Sequence, residues 1–212
     1  PWWSIAFYCV SIFFLPSASY ARVTYDATLL RADIVHYPTA LGEGGHVSGY
    51  TFTGFSKPPG SYPIVWDVAG KPHILPVQGS YEAAVVHGFD GSDSAPIGII
   101  APLGQAGGPA VVWGSLGATP LPIPEEFGIP REGNGTVIVG AAIVTAATSS
   151  GRTRQACVWQ NGTFTLLSIP GSTTSALFSV NASGIYIGGT ANSNDPSSLD
   201  SGLIGQNGSY TL

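Results

Sequence analysis

The end of the chain repeats, with few changes, a segment that lies 46 residues earlier. Residues 157–166 read CVWQNGTFTL and residues 203–212 read LIGQNGSYTL, so that Gln-Asn-Gly and Thr-Leu recur in the same register. Tryptophan keeps this spacing: Trp66, Trp113 and Trp159 lie 47 and 46 residues apart, and Gly205 stands where the next one is due. A period of this length predicts a chain built from successive copies of one small supersecondary unit.

Glycine marks a second recurring position. The segments GGHVSG, SAPIG, GTVIVG and SGIYIG end at Gly49, Gly98, Gly140 and Gly188, with separations of 49, 42 and 48 residues. The period is therefore kept while the loops between the marks vary in length.

Each unit contains four short apolar runs separated by Gly, Pro or Asn. Runs such as TFTLLSI and IYIGG are rich in the β-branched and aromatic residues that favour strands. The pairs Asn161-Gly162 and Asn207-Gly208 are typical of type I′ hairpin turns, in which both central residues have positive φ. The 29 Gly and 17 Pro of the 212 residues suit a chain with many tight turns.

These patterns predict an all-β fold, a β-propeller-type repeat of four-stranded blades with a period of about 46 residues and about three and a half blades visible. A β-solenoid is the alternative, although its coils usually repeat at shorter periods. We expect the last ten residues to open an incomplete blade that is the least ordered unit, and whose packing differs because Gly205 in place of tryptophan removes a large side chain from the seam between blades.

The first residues have the pattern of a secretory signal. The chain is apolar from Trp2 to Leu15 and then becomes small and polar, with Ser19 and Ala21 at the expected cleavage positions. The apolar run is shorter than the roughly 20 residues of a transmembrane helix; a buried N-terminal strand or helix is the alternative. We therefore predict a signal peptide at 1–21, a partial propeller domain at 22–212 that is truncated at its C-terminus, and a secreted, extracellular or periplasmic location.

Composition and motifs predict no chemistry of the common enzyme classes. Seven Lys and Arg against twelve Asp and Glu provide no basic patch, which argues against nucleic acid as a partner. The four His residues lack metal-ligand spacing, and no nucleophile elbow, phosphate-binding loop or dinucleotide motif is found. These motifs therefore predict no catalytic residue, no cofactor and no metal. Cys157 alone would remain after signal cleavage, which predicts a buried thiol and no internal disulfide.

The third unit resembles a known family of repeats. The segment QACVWQNGTFTLLSIPGSTTSALFSVNASGIYIGG is similar to the extracellular HAF repeat, in which His-Ala-Phe-x-Trp-x-x-Gly precedes a Leu run and a segment with Asn and Gly. Ten residues match that pattern: Ala156, Trp159, Gly162, Leu166, Ala176, Val180, Asn181, Gly184, Ile187 and Gly188. The units depart from it where Tyr62, Pro109 and Gln155 replace His, and where Gly42 replaces Asn in the first unit. The resemblance implies a secreted, propeller-like repeat of bacterial type and no particular catalytic residue.

Ten positions carry the predicted repeat as structural residues. They are Trp66, Trp113, Trp159, Gly49, Gly98, Gly140, Gly188, Asn181, Gly162 and Gly208. We expect the three Trp side chains to pack neighbouring blades together rather than to stack on sugars, because a binding residue need not recur in every unit.

Two functions follow as hypotheses. The first is a non-enzymatic binding or scaffold module, with an extracellular glycan or protein as its partner, no nucleic acid, and no membrane contact beyond the signal peptide. The alternative is a propeller-type polysaccharide hydrolase or lyase, which requires ionisable groups that converge in one concavity. The groups to examine are Asp67, Glu82, His87, Asp90 and Asp93, which we expect to be scattered.

Overall fold

The computed structural model describes most of the chain after residue 35. The described residues are 36–52, 61–77, 81–91, 95–102, 108–123, 127–145, 152–191, 201–207 and 209–211. These ranges contain sixteen strands and no helix, and so no helix that could cross a membrane, and the prediction of an all-β fold is confirmed. The predicted signal, residues 1–21, lies outside the described residues.

The strands form four successive antiparallel meanders of four strands each. The first meander contains β1 (His36–Leu41), β2 (Val47–Phe52), β3 (Ser61–Trp66) and β4 (Pro72–Ile74). The second contains β5 (Tyr81–Asp90), β6 (Ala95–Pro102), β7 (Ala110–Gly114) and β8 (Gly117–Pro120). The third contains β9 (Phe127–Gly133), β10 (Val137–Thr145), β11 (Arg152–Gln160) and β12 (Thr163–Leu166). The fourth contains β13 (Thr174–Val180), β14 (Ile185–Ala191), β15 (Ser201–Gln206) and β16 (Ser209–Thr211).

The second and third meanders meet through their first strands. A single parallel pair, Asp90 with Gly133, joins β5 to β9, so that these two meanders form one eight-stranded sheet. The sheet curls into a half-barrel. The two first strands therefore lie at the centre of this sheet, and the two fourth strands form its edges.

Neighbouring meanders share apolar cores. Trp159 on β11 packs with Ile97 and Ala110 of the second meander, and Trp113 on β7 packs with Leu75 and Val77 at the end of the first. Large buried aromatic side chains contribute much of the apolar area that holds such layers together. Adjacent meanders therefore adhere through one tryptophan at each of these two junctions.

The four landmark glycines lie on the second strands, each opposite a β-bulge. At each bulge the first strand carries one more residue than its partner, and the glycine pairs with the residue before the extra one. A Cβ at any of the four would lie within 2.3 Å of a carbonyl oxygen of the first strand, the closest being 2.0 Å at Gly98. Only glycine permits this approach of two backbones, which explains why the residue recurs.

Replacing Gly98 by alanine should lower the free energy of unfolding by about 2 kcal/mol, because the new Cβ overlaps the carbonyl oxygen of Val85. Denaturant-induced unfolding measures the change. Gly114→Ala is the matched control: a Cβ added at this exposed glycine would have no atom within 4 Å, and the change in free energy should stay within about 0.5 kcal/mol. Equal effects of the two substitutions would contradict the explanation of the recurring glycines.

The closing hairpin has the same register as its counterpart in the third meander. Gln160 pairs with Thr163 and Gln206 with Ser209, each across a two-residue turn. The φ angles of Asn161 and Asn207 are 51° and 52°, as a type I′ turn requires at its first central position. Gly162 follows with a φ of 72°, whereas Gly208 lies outside the described residues.

The prediction that this hairpin opens a new unit is wrong. Residues 203–211 belong to the third and fourth strands of a four-stranded meander and do not open a new one. The described strands thus form four meanders instead of three and a half. The sequence comparison placed the start of a unit at the tryptophan, whereas the meander begins well before it: β1 starts 30 residues before Trp66, and β9 starts 32 residues before Trp159.

The packing at Gly205 differs from that at the tryptophan positions, as expected, because Tyr186 covers the position where the tryptophan is due. Tyr186 pairs with Gly205, and a Cβ on Gly205 would lie 2.4 Å from its ring. The tyrosine is buried in the core between the third and fourth meanders, and its hydroxyl donates to the carbonyl oxygen of Ser209 at 3.0 Å. The large aromatic side chain has moved to the neighbouring strand.

Candidate functional site

A cleft of about 700 Å³ opens where the four first strands approach one another. Its lining comes from β1, β5, β9 and β13 and from the turns that follow them: Thr39, Ala40, Leu41, Gly42, Glu43, His87, Gly88, Phe89, Gly91, Arg131, Glu132, Gly133, Asn134, Phe178, Val180 and Ala182. All four meanders contribute to it. The volume falls within the range of small-molecule sites.

The extra residue of each bulge lines this cleft. Pairing skips Thr39 on β1, His87 on β5, Arg131 on β9 and Phe178 on β13. A bulge bends its strand and re-aims one side chain, and bulges are common next to functional sites. Here one frame presents four different side chains: a hydroxyl, an imidazole, a guanidinium and an aromatic ring.

His87 is held neutral. Burial, and secondarily the positive charge of Arg131, lower the pKa of His87 to about 4. Its Nε2 atom is buried and has no hydrogen-bond partner among the described residues. At neutral pH His87 therefore adds no positive charge to the cleft.

Arg131 is half-buried beside His87. Burial lowers the pKa of its guanidinium, and the nearby charge of Arg154 lowers it further. Arginine nevertheless stays protonated at physiological pH. The cleft consequently contains a fixed cation that is partly removed from water.

Phe178 supplies an apolar surface to the same cleft. The residue is 44% exposed although its neighbour Leu177 is fully buried. The alternation of side chains along a strand accounts for this difference, because consecutive residues point to opposite faces. An exposed phenylalanine in a concave surface that also contains polar side chains is a typical contact for a flat apolar face of a ligand.

Hydrogen bonds between neighbouring meanders hold the first strands in place. Thr39 Oγ1 donates to the carbonyl oxygen of Val86 at 2.6 Å, which joins β1 to β5. Asp90 Oδ1 accepts from the Gly135 amide at 2.7 Å and joins the second meander to the third.

The third and fourth meanders are joined in the same way. Glu132 Oε2 accepts from the Val180 amide at 3.2 Å, and Asn134 Nδ2 donates to the carbonyl oxygen of Asn181 at 2.9 Å. Because such bonds restrain the strands that carry the bulges, the four cleft side chains are presented from a connected frame.

Asparagine shapes two of the turns at the mouth. Asn134 Oδ1 accepts from the amides of Thr136 and Val137, and Asn181 Oδ1 accepts from those of Ser183 and Ile185. In both turns the side chain thus replaces a backbone acceptor. In the first meander Gly42 has the backbone pattern of Asn181, since each amide bonds to the carbonyl oxygen of the residue four positions later.

The ionisable groups singled out from the sequence do not converge. His87 lines the cleft, whereas Asp67 lies in the turn after β3, accepts from the Ala69 and Lys71 amides and approaches His73 Nε2 at 3.2 Å. Asp90 bonds to Gly135 and is not among the lining residues. Asp93 and the side chain of Glu82 lie outside the described residues. The carboxylates that do line the cleft belong to Glu43 and Glu132, which the sequence did not indicate.

Nine of the ten predicted structural positions are described, all except Gly208, and none of these nine lines the cleft. Trp66, Trp113 and Trp159 are buried on the third strands, and the indole Nε1 atoms of the last two donate to the carbonyl oxygens of Pro76 and Pro122 at 3.1 and 2.8 Å. The landmark glycines lie on the second strands, and Asn181 and Gly162 lie in turns. Cys157 is buried, and burial raises the pKa of its thiol well above the usual range.

Sequence reasoning missed three of the four bulged residues, Thr39, Arg131 and Phe178, and weighed His87 without locating it. A usable signal was present: the four residues lie 10, 11, 9 and 10 positions before the landmark glycines. A position that lies at a nearly constant number of residues from a recurring glycine, but carries a different side chain in each unit, is a candidate for a binding residue.

Within the described ranges no group of three or more His, Cys, Asp and Glu side chains could hold a metal ion. Comparison with protein-family models, with curated proteins and with solved structures found no match.

Proposed function

We propose that the chain is a secreted, propeller-type binding module built from HAF-like repeats, and that the cleft binds a glycan. The observation that carries the proposal is the set of four bulged side chains, Thr39, His87, Arg131 and Phe178, on one lining. Repeated scaffolds often place variable side chains on one shared surface, which they use for binding.

The order of the strands supports a propeller with a period of about 46 residues. Each meander has four antiparallel strands, and the first strands of the second and third run parallel, as the inner strands of successive blades do. The bonds Thr39–Val86 and Asn134–Asn181 each span 47 residues, and Trp113 and Trp159 each bond 37 residues back. Equivalent contacts at such spacings are those expected between adjacent copies of one unit.

The chemistry of the lining supports a sugar over a purely apolar ligand. Sugars present weakly polar C–H faces and rims of hydroxyl groups, so that an aromatic ring and polar side chains recognise them together. Phe178 offers the ring, while the exposed Glu43 at the mouth can accept hydrogen bonds from hydroxyl groups. A secreted location, as the N-terminal sequence predicts, would give the module access to extracellular glycans.

A polysaccharide hydrolase or lyase is the second candidate, favoured by two carboxylates and a neutral imidazole in one cleft. The detailed geometry favours binding. Glu132 accepts from the Val180 amide, and the Nε2 atom of His87 is shielded from solvent. Release of reducing ends from a polysaccharide, abolished by Glu132→Gln or Glu43→Gln, would establish the enzyme instead.

The test is a glycan-array screen of the full chain, followed by titration calorimetry with a ligand that it selects. Phe178→Ala should weaken binding about tenfold, because a ring stacked on the ligand contributes roughly 1 kcal/mol or more. Ile204→Ala is the control: Ile204 is also exposed on the fourth meander but does not line the cleft. Binding that Ile204→Ala impairs as much as Phe178→Ala does would place the site elsewhere.

A further inference from the structure

We propose that the glycan is acidic and that Arg131 binds a carboxylate of a hexuronic acid residue within the cleft. This inference rests on the proposed function and names the class of sugar. It depends on the position, the unpaired charge and the neighbours of one guanidinium.

Among the described residues, Arg131 is the only Lys or Arg in the lining of the cleft. It occupies the bulge of β9 and is half-buried there. In the described part of the chain its guanidinium has neither a hydrogen bond nor an ion pair. A partly buried cation without a counter-ion is costly, so such groups in proteins are usually paired with an anion. In this cleft a ligand can supply that partner.

The neighbouring charges do not supply that partner. His87 is neutral, Arg154 is itself a cation, and Glu132 accepts from the Val180 amide on the adjacent meander. Glu43 lies in the exposed turn after β1, at the mouth of the cleft. The charge that acts on Arg131 is thus the positive charge of Arg154. Two neighbouring cations attract an anion more strongly than one does.

A sugar carboxylate fits this arrangement better than a point-like anion. The planar guanidinium forms paired, parallel hydrogen bonds with a carboxylate, a geometry that also fixes the orientation of the ligand. Phe178, on the next first strand, lines the same cleft and can contact the C–H face of the ring that bears the carboxylate. The two bulged side chains would then recognise the acid group and the ring together.

The experiment compares oligomers of a hexuronic acid with the same oligomers after reduction of their carboxyl groups. Calorimetry on the full chain should show at least about tenfold tighter binding of the acidic form. Arg131→Gln should remove this preference, because it weakens binding of the acidic oligomer far more than binding of the reduced one, whereas Arg131→Lys should keep part of the preference. Lys71→Gln, an equal change of net charge in the exposed turn between β3 and β4, should have no effect.

Three results would distinguish failure of this inference from failure of the proposed function. Equal binding of both oligomers by the unaltered chain, or a preference that survives Arg131→Gln, would overturn the inference and leave the proposed function standing. Tighter binding of a sulfated oligomer of an uncharged sugar than of the hexuronic acid oligomer would likewise overturn the inference, in favour of another anion. Binding of none of these glycans, nor of any on the array, would refute the proposed function. If Arg131→Gln fails to fold, the comparison of oligomers and the Arg131→Lys variant decide the matter.

Discussion

Tyr186→Ala is expected to lower the free energy of unfolding by about 3–5 kcal/mol, the range for deleting a buried aromatic side chain. The residue is only 1% exposed and belongs to the core that joins the third and fourth meanders. It also covers Gly205, which has no side chain with which to fill the space. Because β15 carries Gly205 at the tryptophan position, the cavity left by the substitution would cross the junction between the two meanders.

Two variants separate packing from other effects, with equilibrium unfolding in denaturant as the measurement. Tyr186→Phe keeps the ring, removes the hydroxyl that donates to the carbonyl oxygen of Ser209, and should cost about 1 kcal/mol. Ile187 is the next residue and is 52% exposed. Ile187→Ala should therefore lower the free energy of unfolding by less than about 1 kcal/mol. A loss from Tyr186→Ala no larger than that from Ile187→Ala would mean that Tyr186 does not replace the tryptophan.

Acidification should destabilise the protein through His87 by about 3 kcal/mol between pH 6.5 and pH 4. The pKa is about 4 in the folded protein and near 6.5 in the unfolded chain. Between these values the unfolded chain binds a proton that the folded protein does not, so the free energy of unfolding falls as the pH falls. Below about pH 4 the folded protein is protonated as well, and this contribution changes no further.

The comparison with His87→Gln isolates the effect. Asp67, whose pKa is lowered chiefly by its hydrogen bond with the Lys71 amide, titrates in both proteins and cancels from the difference. We expect the free energy of unfolding of the unaltered chain, minus that of the variant, to decrease by about 3 kcal/mol from pH 7 to pH 4. Parallel curves for the two proteins would show that His87 is not buried as a neutral group.

Local features of this chain were predictable because their causes are local. The strands follow from short β-branched and aromatic runs, and the turn at Asn161-Gly162 follows from the positive φ that these two residues tolerate. The recurrence of tryptophan and glycine also identified the residues that pack between meanders and that lie opposite the bulges. Each of these inferences needs only the neighbours of a residue along the chain or its counterpart one period away.

The cleft could not be derived in this way. Whether the extra residue of β9 is Arg131 or a neighbour depends on its register with β10, and its burial and charge environment depend on His87 and Arg154 from other strands. The same holds for Tyr186, which covers Gly205, where a tryptophan is due. This contact joins two paired strands and is not visible along the chain.

The sequence by itself therefore determined the strand content, the turn chemistry and the spacing of the recurring residues, since propensity and periodicity act over a few positions. Only the tertiary structure decided where each four-stranded unit begins, which side chain each bulge directs into the cleft, and how a missing tryptophan is replaced. These depend on pairing and packing between residues that are distant in the chain, and a single sequence does not encode them in any local pattern.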